Sequence, residues 1–175
     1  MRRLGSLLLV LALAWAPRTA AAQANPVSTA IRGFASSSGK QLLAAAEAMP
    51  ADKYGFKPTA AQMTFGALIA HIQGDNRTTC AALSGMQPTE ESKLATTESK
   101  ETLVAALRRS LTFCDAALAR LDDAKLGDAV TWYGQKATRA VASIGLLTDW
   151  ADHYGQQAIY LRLNGVLPPT ARKAK

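Results

Sequence analysis

Four stretches of the chain repeat apolar residues every three or four positions, the spacing that places them on one side of an α-helix. No stretch shows convincing alternation of apolar and polar residues, the pattern that favours a β-strand. Thr64 is a typical N-cap for the second helix, and Pro50, Gly85 and Gly165 are typical of helix ends. Four such segments predict an all-α four-helix bundle. The predicted helices span about Val27–Met49, Thr64–Leu83, Lys100–Leu121 and Lys136–Asn164.

The first 22 residues have the composition of a secretory signal peptide. Arg2 and Arg3 precede an apolar run, Leu4–Trp15, and Ala20–Ala22 supplies small residues for cleavage. The run is short for a membrane-spanning helix, although an uncleaved N-terminal anchor is the alternative. We therefore expect a periplasmic or secreted protein that loses residues 1–22.

The basic excess of the chain does not indicate nucleic-acid binding. The chain has 20 basic and 13 acidic residues, and three of the arginines fall within the expected signal peptide. Three more basic residues lie in an expected tail, residues 171–175, so the single domain of residues 23–170 is nearly neutral. No basic face with interleaved aromatic residues is visible. We expect no nucleic-acid partner and no membrane partner after cleavage, and the sequence leaves both homodimer formation and the small-molecule substrate open.

Cys80 and Cys114 are the two cysteines of the chain. Export to an oxidising compartment favours a disulfide between them, whereas two buried free thiols are the alternative. Both fall in the later halves of their predicted helices. The long connection over 86–100 can return the chain along the bundle, so that the second and third helices run parallel and the two cysteines reach the same level.

Aromatic residues mark two of the connections. Tyr54 and Phe56, after the first helix, are expected to cover one end of the core. Trp132 and Tyr133, before the fourth helix, favour core or loop cover over a platform for a substrate, because large aromatic side chains tend to be buried.

Asp149 and His153 lie four residues apart and would project from one face of the fourth helix. The only other histidine of the chain, His71, lies in the second helix. Side chains from facing helices can build a metal site inside a bundle, and two imidazoles with one carboxylate leave positions open for water or substrate. The set suits a divalent cation, zinc or nickel in the first place and iron or manganese as alternatives. An exposed Asp–His pair without a metal is the other interpretation of this spacing.

Three further polar residues are expected near such a site. Asp75, four positions after His71, would act as a fourth ligand or would orient the imidazole of His71 as a hydrogen-bond acceptor. Gln156 and Tyr160 continue the face of His153 and would line the pocket.

Several segments of the chain resemble the DinB-like superfamily. The run His153–Gln156, followed by Tyr160–Gly165 and two prolines, resembles the closing helix of that superfamily. Phe56–Thr59 and Met63–Ile72 resemble its earlier segments, and all of them occur in the right order over nearly the whole mature chain.

The resemblance implies an up-down-down-up four-helix bundle that holds a divalent metal. It implies one histidine ligand in the second helix and an H-x-x-x-H pair in the fourth. His71 and His153 fall on the first and last of these positions, and Asp149 replaces the middle histidine. Activity as a metal-dependent hydrolase or thiol transferase is implied for an intact site. A non-catalytic metal- or ligand-binding envelope module with a vestigial site is the alternative.

Overall fold

The computed structural model of the chain describes residues 25–87 and 94–172. The expected signal peptide lies outside the described residues. Within them, no helix is both long enough and apolar enough to cross a membrane. Two short 3-10 turns lie between the larger elements, and a third, Pro169–Ala171, follows the last helix. The helices and strands are α1 (Pro26–Ala48), α2 (Phe65–Ser84), α3 (Lys100–Leu118), β1 (Ala129–Trp132), β2 (Gln135–Thr138) and α4 (Arg139–Leu163).

Hydroxyl side chains begin three of the helices. Thr64 Oγ1 accepts a hydrogen bond from the backbone N–H of Ala67, which confirms it as the N-cap of α2. Ser99 and Thr138 cap α3 and α4 in the same way. Gly85 ends α2 with a φ of 68°, a left-handed conformation that glycine adopts without steric cost.

The α2 and α3 helices run parallel, as the long connection between them predicted. Asn76 of α2 bonds Ser110 of α3, and one turn further along both helices Cys80 forms a disulfide with Cys114. The Cα atoms of the two cysteines are 5.2 Å apart. The predicted disulfide is therefore confirmed.

The other helix pairs complete an up-down-down-up bundle, in agreement with the expected fold. Lys100, at the start of α3, bonds the backbone of Met49 after the end of α1, so these two helices are antiparallel. The α2 and α4 helices are also antiparallel, because Trp150 bonds Asn76 and Tyr160 bonds the backbone of Met63.

The connection between α3 and α4 corrects the sequence analysis, which predicted no strand and began the fourth helix at Lys136. Residues 129–138 form an antiparallel β-hairpin in which Trp132 pairs with Gln135. Tyr133 and Gly134 form its turn with φ values of 47° and 74°, the pair of positive angles found in tight hairpin turns. Each strand has only four residues, so the alternating pattern is too short to stand out in the sequence.

Tyr54 and Phe56 cover one end of the core, as predicted. Tyr54 is buried, donates a hydrogen bond to the backbone of Ala46 and packs edge-on against Phe65. Phe56 packs edge-on against Tyr160 of α4. This end of the bundle is therefore closed by aromatic rings, whereas the cleft described next lies between α2, α4 and the hairpin.

Candidate metal centre

The two histidines of the chain meet across the α2–α4 interface. The ring centroids of His71 and His153 are 5.1 Å apart, and their planes are inclined by 63°. Asp75 joins them: one potential ligand atom from each of the three side chains lies within 4.8 Å of the other two. The antiparallel course of α2 and α4 brings these groups together from positions about 80 residues apart in the chain.

His153 is buried and its ring is held by its own helix. Its Nδ1 lies 2.8 Å from the backbone oxygen of Asp149 and 3.2 Å from Oδ2 of the same residue. Both neighbours are acceptors, so Nδ1 carries the proton and the lone pair of the neutral ring lies on Nε2. Burial lowers the pKa of His153, but the hydrogen bond and negative charge of Asp149 outweigh it, and the net pKa is raised above its usual value.

His71 is more exposed, with 41% of its side chain accessible. Its Nε2 lies 3.0 Å from Oδ2 of Asp75, the residue one turn further along α2. The other carboxylate oxygen of Asp75, Oδ1, accepts a hydrogen bond of 2.9 Å from the hydroxyl of Tyr133 at the tip of the hairpin. The cluster is therefore held by elements from three parts of the chain.

Asp149, the carboxylate predicted as the third ligand, contacts His153 but does not belong to the mutually close set. Its Oδ2 is buried beside Nδ1 of His153, 3.2 Å away, and has no further hydrogen-bond partner among the described residues. A nearby cation stabilises a buried carboxylate, and imidazole and carboxylate groups are common ligands of divalent metals. The residues present therefore fit a divalent cation at this position.

An open cleft of about 590 Å³ leads to these groups. Its wall includes His71, Asp75 and Asp149, and the hairpin contributes Trp132 and Tyr133. No lysine or arginine is among the described residues that line it. Burial raises the pKa of Tyr133 to about 12, and the neighbouring carboxylate of Asp75 adds to the shift, so its hydroxyl remains a hydrogen-bond donor at neutral pH.

The remaining predicted pocket residues lie elsewhere. Gln156 donates a hydrogen bond to Asp152, a residue of the cleft wall, and Tyr160 is buried in the aromatic end of the core. Neither belongs to the wall of the cleft. Trp132 and Tyr133 line the cleft instead, although the sequence analysis favoured a covering role for them. The signal that could have found them is Gly134, a residue that favours turns, directly after the aromatic pair Trp132 and Tyr133.

Comparison with known proteins gives consistent results for the fold. The sequence profile of the DinB superfamily matches residues 36–156. A DinB-like protein from Bacillus cereus superposes with a TM-score of 0.65 at 18% identity, over 79% of this chain and 95% of that one. A DinB-like protein from Bacillus subtilis gives a TM-score of 0.66 at 20% identity, over 82% and 99%. A conserved protein from Enterococcus faecalis gives 0.63 at 16% identity, over 78% and 96%. No curated protein matches the chain significantly.

Proposed function

This chain belongs to the DinB superfamily, and we propose that it is a metal-binding member whose divalent cation is held by His71, Asp75 and His153. The observation that carries the proposal is the approach of two imidazoles and a carboxylate to within 4.8 Å of one another at the foot of an open cleft. These three residues would hold the cation, and its binding would release the proton that Nε2 of His71 shares with Oδ2 of Asp75, 3.0 Å away.

Asp149 supports this ligand set by holding the ring of His153. A metal-binding histidine usually donates its second ring N–H to a carboxylate or a backbone carbonyl, which fixes the ring and its tautomer. His153 has both acceptors, from the side chain and the backbone of Asp149. In the neutral ring the lone pair of His153 therefore lies on Nε2, where it is available as a ligand. Zinc or nickel suits two nitrogen ligands and one oxygen ligand best, and iron or manganese would also fit.

We propose a metal-dependent hydrolase as the activity. When bound, the cation would supply Lewis acidity and lower the pKa of a coordinated water molecule or thiol. The cleft wall holds the substrate beside the ligands, with Trp132 and Tyr133 on one side and the carboxylates of Asp149 and Asp152 on another. An acidic wall favours an uncharged or cationic substrate over an anionic one.

Export supports hydrolysis over thiol transfer, because small thiol cofactors are scarce outside the cytoplasm. The proposal that the protein is periplasmic or secreted is supported by the composition of residues 1–22 and by the Cys80–Cys114 disulfide. Cell fractionation combined with intact-mass measurement tests it. The expected mature protein begins at about residue 23, and a full-length protein in the cytoplasm contradicts it.

A second candidate function is non-catalytic binding of a metal or small ligand. Asp149, which replaces the middle histidine of the superfamily pattern, favours this alternative. A site that binds metal stoichiometrically but has no hydrolytic activity would identify such a module.

Metal analysis of protein purified without a histidine tag tests the proposal. We expect about one equivalent of metal in the wild type after supply of zinc, nickel or manganese, and its loss in His71→Ala. His71 is largely exposed, so this variant should keep the fold, which circular dichroism can check. A wild type that retains none of these metals would refute the proposal.

The two aspartates give a sharper test of the ligand set. Asp75→Asn replaces a proposed carboxylate ligand with a neutral amide, whereas Asp149→Asn removes only the charge of an orienting acceptor, so metal affinity should fall more in the first variant than in the second. Asp115→Asn is the control, because this residue lies in a separate cleft between α1 and α3. The reverse order for the two aspartates would make Asp149 the ligand and Asp75 the supporting residue.

A further inference from the structure

We infer that Tyr133 is a positioning residue for the metal centre, which holds Asp75 so that a single carboxylate oxygen faces His71. The inference rests on the proposed function and goes further, because it assigns the β-hairpin a part in metal binding. The sequence pattern of the histidines and aspartates does not point to this residue.

A continuous line of contacts joins the hairpin to the imidazole. The hydroxyl of Tyr133 donates to Oδ1 of Asp75 at 2.9 Å, and Oδ2 of the same carboxylate lies 3.0 Å from Nε2 of His71. Because Tyr133 engages Oδ1, rotation of the carboxylate would break a hydrogen bond. Oδ2 is therefore presented to the ligand site, and Asp75 acts as a ligand through one oxygen.

The hairpin itself is anchored to both helices that carry the histidines. The indole N–H of Trp132 donates to Oγ1 of Thr79 in α2 at 3.0 Å. The ring of Trp132 packs against Gly145 in α4, where a Cβ atom would come within 2.3 Å of Cη2 of the ring. The absence of a side chain at Gly145 thus allows the ring to seat against α4. Because Tyr133 directly follows Trp132, these contacts fix its position relative to both α2 and α4.

The backbone conformation of Tyr133 is also uncommon for its residue type. Its φ of 47° is unusual for a residue with a large side chain, and such conformations persist where the surroundings enforce them and occur often at functional sites. Here the two-residue hairpin turn requires it, and the hydrogen bonds of Trp132 and Tyr133 hold the turn against α2. The tip of the hairpin therefore places one hydroxyl beside one carboxylate.

Tyr133→Phe tests the inference, because it removes the hydroxyl and leaves the ring. We expect zinc affinity, measured by isothermal titration of the full mature protein, to fall about 10-fold to 100-fold, as for other residues that support metal ligands. The visible spectrum of the cobalt-loaded protein should change as well, since it reports the ligand field. Tyr154→Phe is the matched control, because its hydroxyl bonds Thr170 instead.

A double-mutant cycle with Asp75→Asn separates positioning from a general structural effect. If Tyr133 acts through Asp75, Tyr133→Phe should have no further effect on zinc affinity in the Asp75→Asn background. Wild-type affinity in Tyr133→Phe, or the same loss in both backgrounds, overturns the inference while the proposed function stands. A wild-type protein that binds no zinc overturns both.

Discussion

Two groups of polar residues on different faces of α2 differ in what they leave unsatisfied. Asn76, on one face, bonds Ser110 of α3 through its amide nitrogen and Trp150 of α4 through its amide oxygen, and all three are buried. His71 and Asp75, on another face, contact each other and open to a cleft. We call the first set (Asn76, Ser110, Trp150) the buried polar cluster and the second (His71, Asp75, His153) the candidate metal centre.

The difference shows how to separate a structural polar residue from a functional one. The buried polar cluster consists of neutral groups whose hydrogen bonds are made inside the protein, so it specifies the packing of three helices. The candidate metal centre consists of titratable groups beside a cleft, and the neighbouring Oδ2 of Asp149 is buried next to Nδ1 of His153. Imidazole and carboxylate groups that meet beside a cleft can bind a cation, whereas the neutral groups of the buried polar cluster bind one another.

Removal of the disulfide beside the buried polar cluster should have the largest effect on stability. The Cys80→Ala/Cys114→Ala variant should lose about 3–4 kcal/mol of unfolding free energy, because the bond closes a loop of 34 residues in the unfolded chain. Urea denaturation measures this loss. Zinc affinity should stay at the wild-type value, and a large fall in affinity would show that the two regions are coupled.

Asn76→Ala should be the next most damaging change. It leaves the indole N–H of Trp150 without its acceptor and removes the hydrogen bond to Oγ of Ser110, which keeps its own bond to the backbone of Leu107; we expect a cost of about 2–3 kcal/mol of unfolding free energy. Thr78→Ala on the exposed face of α2 is the control and should change stability by less than about 0.5 kcal/mol. Equal effects of the two substitutions would show that the cluster contributes little.

Asp149→Asn should lower the pKa of His153, because the raised pKa depends on the charge and hydrogen bond of Asp149. The chain has two histidines, so an NMR titration of the imidazole protons can resolve both. In the metal-free protein the contribution of this pair to stability is present below the unfolded-state pKa. It is lost as the pH rises through the folded-state pKa.

Asp152→Asn is the matched control for this titration, since Asp152 has the weakest of the effects that raise the pKa of His153. The pKa of His153 should change less in this variant than in Asp149→Asn. A larger change would mean that the long-range charge of the cleft, and not the contact with Asp149, sets the protonation of His153.

Substitution of Asp123, which lies at the start of α1 and outside the candidate metal centre, should have the smallest effect on stability. Its carboxylate accepts hydrogen bonds from the backbone N–H groups of Val27 and Ser28 at the start of α1, where Asn25 provides no side-chain cap. Desolvation acts to raise the pKa of Asp123, but these hydrogen bonds and Arg32 outweigh it and lower the pKa.

Stability from this cap is therefore present above the unfolded-state pKa and is lost as the pH falls through the folded-state pKa. Thermal unfolding at neutral and acidic pH measures the effect. The melting temperature of Asp123→Asn should be lower than that of the wild type near neutral pH, and the two should converge in acid. A constant difference at all pH values would contradict the charge-dependent cap.

Much of the bundle follows from local signals in the chain. The N-cap Thr64, the stop at Gly85 and the late positions of Cys80 and Cys114 were all predicted, because caps and periodicity depend on neighbours within a few residues. The hairpin was missed, since two strands of four residues carry too little periodicity, and Lys136 was assigned to the fourth helix as a result.

The amino-acid sequence by itself determined the helices, the disulfide partners and the presence of two histidines on facing helices. Only the tertiary structure decided which aspartate lies close to both histidines, because distances across an interface depend on the rotation and offset of whole helices. Asp75 lies beside both imidazoles, whereas Asp149 lies behind His153. The hydroxyl of Tyr133 reaches Asp75 across 58 positions of the chain, a contact that no local pattern encodes.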